Sequence, residues 1–210
     1  MVAGSLVLTS CGGESGDKTN ATEQQTVAEA QGVNYGVDTV ASKVSWMGSK
    51  IGGSHTGEFK LSNGELTATE GKLTAGKFTI NILSNVVTDI DEANGKSKLE
   101  GHLASPDFFD AAQFSTAQFE ITGVAAADST LETKLQNANA VISGNLTLKG
   151  VTKNISFPAA VVVTDASIEA KADFDIDRTQ WDLNYKGPDN PQDWVISKSV
   201  NIKIDLKATK

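Results

Sequence analysis

The side chains best suited to nucleophilic, acid–base or metal chemistry are scarce in this chain, which has two histidines, His55 and His102, and one cysteine, Cys11. These three cannot complete a four-ligand zinc site without carboxylates. A catalytic serine would be expected on a tight turn near a histidine, and no Gly-x-Ser-x-Gly motif is present. Asp89 and Asp91 are paired acids, but in an acidic loop they are more often solvated or capping groups. The sequence therefore predicts no catalytic centre, no metal site and no cofactor.

Three basic or imidazole side chains remain candidates for contact with the polar head group of a bound molecule. His55 lies in the glycine-rich stretch 52–57, and His102 lies in a segment without strand alternation. Arg178 follows a strand whose outer face is charged. Each has a structural alternative, which for the histidines is a local hydrogen bond and for Arg178 a pairing with Asp177 or with an acidic loop.

The N-terminal residues suggest export and membrane attachment. Leu6 to Cys11 form an apolar run that passes through small residues into a cysteine, which resembles a bacterial lipoprotein signal, although no positively charged region precedes it. An incidental cysteine at a frayed terminus is the alternative. We predict a signal at 1–11 with lipidation of Cys11, a flexible polar linker at 12–34, and a folded domain at 35–210. The expected location is the bacterial envelope, periplasmic or outer-surface, on a membrane the sequence does not identify.

Composition limits the classes of partner. The chain carries 18 basic and 26 acidic residues, a formal charge of -8, and its lysines are scattered singly. Such a surface repels phosphate backbones, so nucleic acid is not an expected partner. The single cysteine excludes an intramolecular disulfide, and the oligomeric state stays open, with a homodimer among the alternatives.

Apolar residues recur at period two from Tyr35 onward, which predicts strands with one buried face. The segment 168–177 alternates five apolar residues with an entirely charged opposite face, and 140–163 is typical of a hairpin turning at Lys149-Gly150. About eight such strands predict an all-β antiparallel barrel. The stretch near 90–112 lacks alternation and predicts a short helical insertion, with Ser105 as an N-cap before Pro106.

The barrel interior is the expected binding region. By parity and by position in the insertion, fourteen large side chains are predicted to line it: Trp46, Phe59, Phe78, Ile80, Ile82, Leu103, Phe108, Phe109, Phe119, Ile142, Leu146, Leu148, Phe157 and Phe174. An eight-stranded barrel has just enough room for side chains or one small ligand. Parity alone leaves a packed and a hollow barrel equally open.

Two segments, 102–110 (HLASPDFFD) and 144–153 (GNLTLKGVTK), resemble the signature stretches of the YceI-like family. Supporting marks are His55-Thr56-Gly57 and Asp177-Arg178 before Trp181. The resemblance implies an extended, lipocalin-like, eight-stranded barrel that binds polyisoprenoid or related amphiphilic chains in the bacterial periplasm.

The resulting expectation is a non-catalytic protein that binds or carries an elongated apolar lipid, such as a polyisoprenoid, an isoprenoid quinone or a fatty-chain amphiphile. The alternative is an envelope stress-response or protein-interaction module with a packed barrel and no lipid. A continuous tunnel lined by Phe78, Leu146 and Phe174 would favour the first.

Overall fold

A computed structural model describes residues 16–27, 29–128, 130–186 and 196–210. Nine strands build the main sheet, and two short strands precede them. The short strands are β1 (Asp17–Lys18) and β2 (Thr22–Glu23); the others are β3 (Val33–Val37), β4 (Lys43–Lys50), β5 (Gly53–Thr69), β6 (Lys72–Val87), β7 (Thr116–Ala126), β8 (Ala140–Leu148), β9 (Val151–Val163), β10 (Ser167–Asp177) and β11 (Ile196–Thr209).

Strands β4 to β11 form a closed eight-stranded antiparallel barrel. Each pairs with the next along the chain, and β11 closes the ring on β4 with the register Ile204↔Val44. Strand β3 pairs with both β11 and β5, the two neighbours of β4 in the barrel. Closure pairs the backbone of every strand on both sides, which removes the exposed edges of an open sheet. The prediction of an all-β antiparallel barrel is confirmed.

The alternation of apolar and polar residues along each strand determines which of its faces is buried. In β10, Ile168, Ala170, Ala172 and Phe174 are all buried. The outward Asp173 pairs across to Lys203 of β11 at 3.2 Å. A one-residue slip would exchange these two faces, so the apolar pattern determines the register.

The hairpin predicted at 140–163 is present. Lys149 and Gly150 connect β8 to β9, and both have positive φ, 47° and 77°. Two consecutive positive φ values are typical of the turns that match the twist of paired strands. Thr147 and Thr152 face each other directly across the turn, with their hydroxyls 2.8 Å apart.

The helical insertion is confirmed, with one correction. A 3-10 turn (Glu92–Asn94) leads into helix α1 (Lys96–Ala104). Ser105 ends this helix instead of starting one, and its amide and hydroxyl both donate to the His102 carbonyl. The reason is Pro106, which disfavours helical geometry at the residue before it. Among the described residues, no helix is long and apolar enough to cross a membrane.

The described part of the predicted flexible linker at 12–34 is instead bound along the barrel wall. β1 pairs with β10, β2 pairs with β9, and β3 already begins at Val33. The Gln25 amide donates to Asn145 Oδ1 at 3.0 Å, and Asn145 Nδ2 donates back to the Gln25 carbonyl at 2.7 Å. Hydrogen bonds to outward polar side chains order a segment whose own apolar content could not. Cys11 and the predicted signal at 1–11 lie outside the described residues.

Candidate functional site

One end of the barrel contains a cavity of about 580 Å³. Its walls are formed by residues of β4 to β11, and helix α1 with the segment after it lies over one side. A volume in the range of roughly 300–1,000 Å³ is typical of small-molecule sites. The lining is predominantly aliphatic and aromatic, which is the environment that favours a hydrocarbon over water.

The structure places twelve of the fourteen predicted pore residues around this cavity. They are Trp46, Phe59, Phe78, Ile80, Ile82, Leu103, Phe108, Phe109, Phe119, Leu146, Leu148 and Phe174. Their contact with a ligand stays a prediction. Ile142 and Phe157 do not line it, and instead border a second cavity of about 20 Å³ further down the barrel.

An aromatic layer separates the two cavities. Phe119 lies between Phe78 and Phe157, with ring centroids 5.4 and 5.6 Å away, and Phe157 stacks on Phe174 at 4.1 Å. All four rings are buried. Because of this aromatic floor, Ile142 and Phe157 border the small cavity and not the large one. The barrel is hollow above the floor and packed below it.

Two glycines make room for rings of the lining. A Cβ at Gly144 would collide with the Phe119 ring, and a Cβ at Gly57 would lie 2.5 Å from the Trp46 ring. Trp46 also donates from its indole nitrogen to Asn85 Oδ1 at 2.8 Å. These contacts hold both rings in one orientation, since a well-packed aromatic ring has few alternatives.

The segment 102–110 forms one side of the mouth. Phe109 packs edge-on against Phe59 at 5.7 Å. The His102 ring contacts Phe108 and Tyr185 at 5.1 and 4.8 Å, and those two rings also contact each other at 5.2 Å. His102 Nε2 is 3.0 Å from Asp107 Oδ2. The insertion therefore covers part of the cavity with rings that are themselves fixed by neighbours.

His55 also lines the cavity and is held there by Asp89. His55 Nδ1 lies 2.9 Å from Asp89 Oδ2, and the Thr56 amide donates to Asp89 Oδ1 at 3.0 Å. Partial burial alone would raise the pKa of the Asp89 carboxyl, but these hydrogen bonds outweigh it and hold that pKa below its ordinary value. The carboxylate orients the imidazole, which lines the cavity.

Arg178 is buried at the cavity wall, with 4% of its surface exposed. Its guanidinium donates to the carbonyls of Leu183, Tyr185, Ile196 and Ser197. Burial lowers the pKa of this guanidinium, although nearby Asp177 opposes the shift. Asp177 Oδ2 itself lies 3.3 Å from Lys198, so the predicted structural role is present with carbonyl partners in place of a carboxylate.

Several lining residues were missed by the sequence reasoning. Val44, Ile202 and Ile204 alternate with polar neighbours, so parity could have included them. Ile90, Leu99, Leu183 and Tyr185 lie outside the strands and carry no periodic signal. Within the described ranges, no group of three or more His, Cys, Asp or Glu side chains could hold a metal ion.

Comparison with known proteins assigns the family. A model of the YceI-like domain matches residues 35–208. The chain belongs to the YceI-like family. A UPF0312 protein from Shewanella denitrificans is 30% identical over 132 residues, which are 61% of this chain and 62% of that protein. Another from Pseudomonas aeruginosa is 34% identical over 106 residues, or 50% of this chain and 48% of that protein. The chain thus spans about half to three fifths of these curated relatives.

Solved structures of other proteins show the same fold. Burkholderia cenocepacia BcnA is 24% identical with a TM-score of 0.65, covering 82% of this chain and 99% of BcnA. A polyisoprenoid-binding domain from Saccharophagus degradans, implicated in plant cell wall breakdown, is 18% identical with a TM-score of 0.58. The match covers 83% of this chain and 97% of that domain. At these identities the likeness establishes the YceI-like barrel.

Proposed function

We propose that this YceI-like protein binds an elongated apolar lipid inside its barrel and carries or stores it without transforming it. The observation that carries the proposal is the apolar cavity of about 580 Å³, closed below by the aromatic floor and bounded above by α1. The candidates are polyisoprenoids, isoprenoid quinones and fatty-chain amphiphiles. The Saccharophagus domain, which binds polyisoprenoid, supports this class.

The volume of the cavity limits the length of lipid chain that the barrel can enclose. A methylene is close in size to a water molecule, whose share of liquid volume is roughly 30 Å³, so a cavity of about 580 Å³ corresponds to a chain of about 20 carbons. A longer polyisoprenoid would keep part of its length outside the mouth. Burial of the chain would contribute about 0.8 kcal/mol per CH₂, which is the expected source of affinity.

The envelope role is the second part of the proposal. Lipid attached to Cys11 would hold the barrel at a bacterial membrane, on the periplasmic or outer side. A single acyl chain binds membranes only marginally, so stable anchoring requires further acyl groups. Tethering would keep the barrel mouth close to a lipid source.

Native mass spectrometry of the purified full chain, before and after organic extraction, tests the binding. We expect a mass increase equal to one lipid, lost on extraction and restored when a C16–C20 chain is added. Repeated failure to find or restore any bound chain would contradict the proposal and favour a protein-interaction module.

A matched pair of variants links the binding to the cavity. Ala117 is buried and lines the cavity, so Ala117→Phe would fill it, whereas Ala125→Phe places the same ring on an exposed position of the same strand. We expect loss of the lipid adduct only in Ala117→Phe. Equal retention in both folded variants would place the lipid elsewhere.

A further inference from the structure

The charged residues that line the cavity are all of one sign. Among the described residues they are Lys50, Lys98, Arg178 and Lys186, joined by the imidazoles of His55 and His102. No described Asp or Glu lines the cavity. This bias runs against the chain as a whole, which has 26 acidic and 18 basic residues.

The three lysines at the mouth have no carboxylate partner within the described part of the chain. Lys50 ends β4, Lys98 lies on α1, and Lys186 has its ammonium 5.6 Å from the Tyr185 ring. On the outer wall, by contrast, Lys43 pairs with Glu58 at 2.8 Å. Among the described residues, therefore, no ion pair offsets the positive charge of these three lysines.

Two carboxylates contact the histidines that line the cavity, a third lies on α1, and all three are engaged in hydrogen bonds. Asp89 accepts from the Thr56 amide and faces His55, and Asp107 faces His102. On α1, Glu100 accepts from the Val87 amide at 2.8 Å. None of these carboxylates belongs to the lining, so the charged lysine and arginine side chains are the ones that the described part of the chain presents to a bound molecule.

Lysine and arginine are donors without acceptor capacity, and a cleft with low-dielectric walls and charges of one sign concentrates ions of the opposite sign. The N-terminal end of α1, where Asn94 and Gly95 line the cavity, adds a partial positive charge of the same sense. Buried Arg178 contributes a further positive charge in the wall.

We infer that the bound amphiphile carries an anionic head group, a carboxylate or a phosphate, held at the mouth by Lys50, Lys98 and Lys186. Its chain runs down to the aromatic floor. This inference rests on the proposed function and specifies the ligand class. A cationic head group is excluded from the mouth by repulsion, and a neutral head group loses the ionic contribution.

Titration of the extracted full chain with matched ligands tests the inference. The first pair is hexadecanoate and hexadecanol; the second is geranylgeranyl phosphate and geranylgeraniol. Binding is followed by calorimetry at low and high salt. We expect each anion to bind at least about tenfold more tightly than its neutral partner at low salt, with the difference shrinking as salt screens it. The pair with the larger ratio of anion to neutral affinity identifies the source of the head group, because the two members of a pair share one chain.

The triple variant Lys50→Gln, Lys98→Gln and Lys186→Gln should abolish the preference for the anion over the neutral partner of the same chain. The control is Lys60→Gln, Lys72→Gln and Lys207→Gln, which removes the same charge from exposed positions outside the lining. Equal wild-type affinity for anion and alcohol, or an equal loss in both triple variants, overturns the inference while the lipid-binding function stands. No binding of any of the four ligands overturns the function itself.

Discussion

The aromatic floor should set the chain length that the barrel prefers. Each methylene buried above the floor contributes about 0.8 kcal/mol, which is roughly a fourfold gain in affinity. The gain should stop at about 20 carbons, where the cavity of about 580 Å³ is filled. A plateau is expected because the rings of Phe78, Phe119 and Phe174 block further entry.

Removing Phe119 should move this plateau. Its ring borders both the large and the small cavity, so Phe119→Ala joins them and frees the space of one benzene ring, on the order of 100–150 Å³. At roughly 30 Å³ per carbon, the plateau should shift by about four carbons. The substitution should also lower the free energy of unfolding by about 3–5 kcal/mol.

Calorimetric titration with saturated carboxylates of increasing length measures both plateaus. The control is Ile142→Ala, which also removes buried apolar volume but borders only the small cavity below the floor. It should be destabilised by about 2–5 kcal/mol with its plateau unchanged. Affinity that rises without a plateau in the wild type, or equal plateaus in wild type and Phe119→Ala, would refute the floor as the limit.

Three further substitutions test the supports of the cavity. Arg178→Lys keeps the charge but cannot reproduce the fork that binds four carbonyls, so urea unfolding should show a loss of about 3 kcal/mol; a loss below about 0.5 kcal/mol would contradict this. Gly144→Ala should cost about 1–3 kcal/mol by displacing the Phe119 ring, whereas Gly123→Ala, which meets no neighbour, should cost less than about 1 kcal/mol; equal costs would show that the ring is not held there. Asp89→Asn should lower the free energy of unfolding by its full amount above the ordinary carboxyl pKa of 3.8, and this loss should vanish as pH falls through the lowered pKa of the folded state. Unfolding of both proteins at about pH 6 and pH 3 measures the loss, and a loss independent of pH would contradict the prediction.

The barrel could be predicted because period two is a local signal. Phe174 and Ile204 face inward wherever their strands lie in the ring, so parity alone assigned them to the interior. The closure of the cavity could not be predicted in the same way. It depends on Phe119 lying over Gly144, a contact between two strands that only the register defines.

The described part of residues 12–34, which lies along the outer wall of the barrel, shows a different limit of prediction from sequence. Its composition lacks apolar side chains, which correctly excludes a core of its own. Asn145 and Asp175 are on the outward face of their strands and are nevertheless buried, because Gln25 and Gly16 hydrogen-bond to them. Outward polar residues that bind a backbone are indistinguishable in sequence from outward polar residues that bind water.

The most direct test of lipid binding in the barrel is a crystal structure of the protein loaded with 16-bromohexadecanoate, with the bromine located by anomalous scattering. The account predicts one bromine in the cavity immediately above the rings of Phe78, Phe119 and Phe174, with the carboxylate at the mouth near Lys98. Bromine found only on the outer surface, or none inside the barrel at saturating ligand, would contradict it.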